Sequence, residues 1–189
     1  VQVKVNLQIP FVGGIEGTWE PDRAERDAAW ELYVEMITRV SVVPLGADEG
    51  KAREALTSFY QLFAITREIL RRHGPAVARG GSKRITFGRI AVAMLNGSVR
   101  PVLATWHPLL AAHEERRPDG VDTVAHERGW DRIDELRGEI DKVRRNLTDI
   151  AVLLGEVAGV ESLLPGDLEL PEPREGGAAT PPASRRAAP

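Results

Sequence analysis

The 189-residue chain contains no cysteine. That absence removes thiol nucleophiles, thiolate metal sites and structural disulfides together, and it fits a reducing compartment. Long apolar runs are missing too. No stretch reaches the roughly 18 residues of a membrane span, and the N-terminus alternates polar with apolar residues where a signal peptide would be continuously apolar. The expected location is cytoplasmic, with no membrane engaged. Lysine occurs only at Lys4, Lys51, Lys83 and Lys142, so arginine carries most of the positive charge. With abundant Ala, Gly and Pro, this bias reads as the codon usage of a GC-rich bacterial genome. A formal net charge of −3 and a pI near 5.9 argue against a nucleic-acid partner, whose affinity comes mainly from phosphate neutralisation.

Motifs that carry chemistry are absent in the same way. No His follows a Glu by three residues, which excludes the di-iron arrangement of helical bundles. His113-Glu114 and His126-Glu127 begin like a zinc-protease HExxH, but Arg117 and Trp130 stand where the second His belongs. His107 and His113 lie about 240° apart on a straight helix and meet only if the chain breaks near Pro108. There is no Gly-x-Ser-x-Gly elbow, and Gly80-Gly81-Ser82-Lys83 lacks phosphate-loop spacing. Glu31 and Glu35 read as a solvated helix face. No catalytic residue, metal ligand or cofactor is expected, although a kink that brings Arg100, Trp106, His107 and His113 together would shape a pocket.

What is present is periodicity. From Ile133 an apolar seam runs through Leu136, Ile140, Val143, Leu147, Ile150, Leu154 and Val157 in alternating steps of three and four. Flanking positions change from Arg132, Arg137, Glu139 and Arg144 to Ala151 and Leu153. The stripe thus broadens along the helix, as in a helix sunk between neighbours in a bundle.

Three further helices are predicted. The first opens at Pro21-Asp22, buries Ala29, Tyr33, Met36, Val40 and Val43 with Trp30 and Ile37 widening the face, and stops at Pro44. A second, capped by Asp48, buries Ala52 to Leu70 and ends at Gly74-Pro75. A third, capped by Thr86, runs from Phe87 to about Glu115, broken or kinked near Asn96-Gly97-Ser98 and Pro101. The fourth spans Thr123 to Ala158. The expected fold is mostly α: a four-helix up-and-down bundle over residues 20–160, with an N-terminal strand or short hairpin over 1–19 and a disordered Pro/Gly/Ala-rich tail over 161–189.

The stretch Phe87 to Asn96, followed by Arg100-Pro101, Trp106-His107-Pro108-Leu109-Leu110 and His126-Glu127 with Trp130, resembles uncharacterised bacterial helical proteins found in actinobacteria and elsewhere. The resemblance covers most of residues 20–160. It implies no established activity and no functional residue. What it suggests is an accessory role in bacterial conflict or defence systems.

Two functional expectations follow from the residues. Val1 to Ile9 alternate strictly, and no segment beyond a short mate reaching Trp19 reads as a strand. Val3, Val5, Leu7 and Ile9 are therefore candidate contacts for another chain, joined by strand addition or homo-oligomerisation in a non-catalytic scaffold or regulatory module. The alternative is a small-anion or nucleotide sensor built on Arg71, Arg72, Lys83, Arg84 and Arg89, which bracket the turn between helices two and three.

Overall fold

The computed structural model describes residues 2–39, 50–81, 84–164 and 167. Expectations for Val40, Val43, Pro44, Asp48, Lys83 and nearly all of the tail concern positions outside that set. The chain opens with a hairpin of β1 (Val3–Ile9) and β2 (Gly13–Trp19), antiparallel, with Val3 opposite Trp19 and Ile9 opposite Gly13. Alternation in β1 turns Val3, Val5, Leu7 and Ile9 inward, where all four are buried with Trp19 in the core of their own chain. These side chains are not available to a partner, and the expectation that they make apolar contact with another chain is corrected. At roughly 1.5–3 kcal/mol per fully buried large apolar side chain, the hairpin is part of the core.

Helix α1 (Arg23–Ile37) starts from a capping box. Asp22 accepts from the Glu25 N–H, and the Glu25 carboxylate accepts from the Asp22 N–H. Tyr33 and Met36 are buried as the pattern requires, whereas Trp30 is 41% exposed and does not widen the core face. Helix α2 (Ala52–His73) buries Ala52, Ala55, Leu56, Phe59, Leu62, Thr66 and Ile69 and ends at Gly74, with φ 62°, in a short 3₁₀ turn over Gly74–Ala78.

The third helical region is neither broken nor simply kinked. Helix α3 (Phe87–Met94) passes through a π turn over Leu95–Val99 into α4 (Arg100–Glu114). The turn widens to five-residue bonds just before Pro101, which has no amide hydrogen to donate to the preceding turn. Gly97, at the centre of the π turn, lies against the hairpin tip, so close to Pro10 O, Ile9 and Val12 that no side chain would fit there. Just beyond it the Ser98 hydroxyl donates to Asn146 Oδ1, and Asn146 Nδ2 donates to Gln8 O at 2.7 Å.

The expected fourth helix is two. A six-residue α5 (Thr123–Arg128) ends at Gly129, and α6 (Ile133–Ala158) begins where the seam begins. Every seam residue from Ile133 to Val157 is buried, and Ala151 and Leu153 join them. Counting α3, π turn and α4 as one rod, the described residues form five helical segments and not four, packed mainly as α6 against α1 with α2 beside them. Among the described residues no helix is long and apolar enough to cross a membrane.

Two buried carboxylates organise helix starts from a distance. Glu25, 1% exposed, also accepts from Trp19 Nε1 at 3.2 Å and from the Phe87 N–H at 3.1 Å. Glu127, 4% exposed, accepts from the Ala52 and Arg53 N–H groups at 2.7 and 3.2 Å. Lys51, at the N-cap of α2, makes no side-chain cap, so Glu127 supplies it from 75 residues away. Each carboxylate satisfies amides that a helix start leaves without partners.

Candidate functional site

Two-stranded sheets have two outer edges. In an antiparallel ladder, alternate residues turn both backbone groups away from the partner strand. On β1 the Gln8 carbonyl, bonded to Asn146, identifies the outward set as even-numbered. The register carries that set to Gly14, Glu16 and Thr18 on β2. β1 packs on α6, so its outer edge faces the protein. The outer edge of β2 has no strand beside it among the described residues.

Beside that edge runs a trough of about 630 Å³, lined by Val12 and Ile15 of the hairpin, Ile85, and Gly88, Val92 and Ala93 of α3. Its walls follow from packing already described. Gly17 of β2 approaches Ile85 just before α3, and Pro10 at the hairpin tip meets Gly97 just after it. α3 therefore runs alongside β2 in the opposite direction, and the gap between them is apolar. Val12 and Val92 are about half exposed at its mouth, and Phe11, at φ 61° in the hairpin turn, is 89% exposed beyond it.

Charge is confined to one end. Arg84 donates to the Glu20 carbonyl at 3.1 Å and lies 3.4 Å from the Glu25 carboxylate, so its charge is partly matched. The Arg89 guanidinium donates to the Arg84 carbonyl at 2.8 Å, and no described carboxylate forms an ion pair with it. Both residues line the trough.

Of the cations expected to form an anion site, Arg84 and Arg89 meet at the trough, Lys83 lies outside the described residues, and Arg72 is engaged elsewhere. Arg72 turns to α1 and α2, held by Glu31 at 2.6 Å and Glu68 at 3.0 Å, and His73 shares Glu31. Arg71 is exposed at the end of α2. Glu31 is thus a partner of Arg72 and His73, and not merely a solvated carboxylate.

The residues round the kink also separate. Arg100 lies over the Phe63 ring at 5.4 Å, beside His107, in a shallow pocket with Tyr60 and Leu103. Trp106 is buried elsewhere under Arg132, 4.5 Å from its guanidinium carbon. His113 stacks on His126 at 4.0 Å and on Trp130 at 5.2 Å. Each of the two imidazoles hydrogen-bonds the other residue's backbone carbonyl through Nε2 at 2.9 Å. This stack clasps α5 to α4. No cluster of three metal-ligating side chains occurs among the described residues.

Local sequence windows flagged Arg84 and Arg89 but missed the apolar walls. Ile15 and Val92 belong to segments more than seventy residues apart, and only the hairpin's seat on the π turn brings them to one gap. No family model, curated protein or solved structure matches the chain.

Proposed function

We propose that the protein is a non-catalytic interaction module that takes an extended segment of a partner protein along the outer edge of β2. The observation that carries this reading is the pairing of that edge with the apolar trough. Backbone groups at Gly14, Glu16 and Thr18 offer ladder bonds, and the gap between β2 and α3 offers room for every second side chain. Strand addition beside a groove obtains affinity from the first and specificity from the second. The strand-addition idea is kept, but it moves from the buried face of β1 to the edge of β2.

A photo-crosslinking amino acid placed at Val92 tests the reading in full-length protein expressed in its native cells, with Val152 of α6 as the control. The two positions are equally exposed, at 46% and 45%. A defined partner segment captured at Val92 and absent at Val152 supports the module. Equal capture at both sites contradicts it, and capture of a second copy of this chain redirects the reading to self-association.

A further inference from the structure

Resting on that docking reading, we infer that the trough selects an acidic-led segment: one that runs antiparallel to β2, with apolar residues at every second position and Asp or Glu at its N-terminal end. Direction and charge are linked by the geometry. β2 runs from the neutral hairpin tip toward Arg84, so an antiparallel strand begins at the Arg84 and Arg89 end and finishes near Val12 and Asn96. Antiparallel pairing has bonds perpendicular to the strands and is slightly more stable per residue than parallel pairing.

The seven residues of β2 span about 23 Å at about 3.3 Å per residue, which sets the docked segment at about seven residues. Partner residues opposite Gly14, Glu16 and Thr18 exchange backbone bonds and point to solvent. Those opposite Ile15 and Gly17 point to the trough, and because Gly17 has no side chain the position over Ile85 admits a large apolar residue. At the basic end Arg84 is already engaged by Glu25 and the Glu20 carbonyl, whereas Arg89 has no carboxylate partner among the described residues. A carboxylate at the start of the incoming strand supplies one. Its attraction is salt-sensitive, because Arg89 is exposed.

The test is selection of a displayed library of random eight-residue peptides on the full-length protein, with Val92→Asp as counter-selection. Affinities of the enriched peptides are then measured on wild type and on Arg89→Glu. The expected enrichment is apolar residues at alternate positions with Asp or Glu in the first two. Binding weakens about tenfold on Arg89→Glu and recovers when the peptide's acid is exchanged for Lys. Trough-dependent peptides with the acid at their C-terminal end, or with affinity indifferent to Arg89→Glu, overturn the inference and leave the docking reading standing. Enrichment that is the same on wild type and Val92→Asp, or none at all, overturns the docking reading itself. Unchanged thermal unfolding of both variants confirms that the comparison is between folded proteins.

Discussion

Replacing Gly97 by Ala sets two effects of opposite sign against each other. In a helix interior Ala is favoured over Gly by about 0.8–1.0 kcal/mol, so propensity alone predicts stabilisation. At Gly97, however, a Cβ would stand 2.6 Å from Ile9 Cγ2 and 2.8 Å from Val12 Cγ2, and closer still to Pro10 O. Val12 is half exposed and can rotate, but Ile9 is 2% exposed and the Pro10 oxygen belongs to the backbone. The hairpin tip must lift by about 1 Å, and overpacking of this kind costs about 1–3 kcal/mol, more where backbone has to move. The net expectation is destabilisation of about 2 kcal/mol, or about 4–8 °C in Tm for a chain of this size. Gly138→Ala is the control. It lies exposed in α6 with nothing near its Cβ direction, and it should raise Tm by about 1–4 °C. Thermal and urea unfolding followed by circular dichroism measure both. If Gly97→Ala stabilises as much as Gly138→Ala, the hairpin is not seated on the π turn and the trough loses a wall.

Deleting Val1 to Trp19 should unfold the bundle and not merely remove a docking strand, because five buried side chains leave the core with it; a cooperatively folded deletion with native helicity would contradict the placement of the hairpin. Glu25→Ala should cost about 3–5 kcal/mol in denaturant unfolding, since it removes the acceptor for the Trp19 indole and Phe87 amide at a buried site. A loss below about 1 kcal/mol would refute that role. Asp122 caps α5, and its carboxyl is held below the usual carboxylate range chiefly by the Ala125 N–H, with further help from Val124. A depressed folded pKa gives stability that is present above the unfolded value and is lost as pH falls through the folded one. Asp122→Asn should therefore flatten the acid limb of the stability profile below about pH 4 and leave neutral pH dependence unchanged. An unaltered acid limb would count against the cap.

Periodicity made the helices and the strand legible. The seam from Ile133 to Val157 needed only its steps of three and four, and β1 needed only its alternation. Neither pattern says what the buried face meets, so the apolar face of β1 was assigned to a partner when it belonged to α6 and the bundle. Gly97 and Pro101 were visible as weak points in a helix. The chain answers them by widening one turn, which a window of local propensities does not distinguish from a break. Glu25 was readable as the fourth residue of an Asp-x-x-Glu capping box, yet its bond to Phe87 spans 62 residues. Glu127 has no local signature at all, because the helix it caps begins 75 residues earlier. The trough combines both difficulties. Its basic end lay in one conspicuous loop and the first turn of the helix that follows, whereas its walls come from a hairpin and a helix that meet only in the fold.

The most direct measurement is the affinity of the partner segment captured at Val92 for wild-type protein and for Glu16→Pro. Glu16 turns its N–H outward, so proline there removes an edge donor without breaking a bond to β1, and edge positions tolerate it. The expected result is an unchanged unfolding transition with binding weakened tenfold or more. Undiminished binding by a folded Glu16→Pro protein would show that the edge of β2 does not carry the interaction.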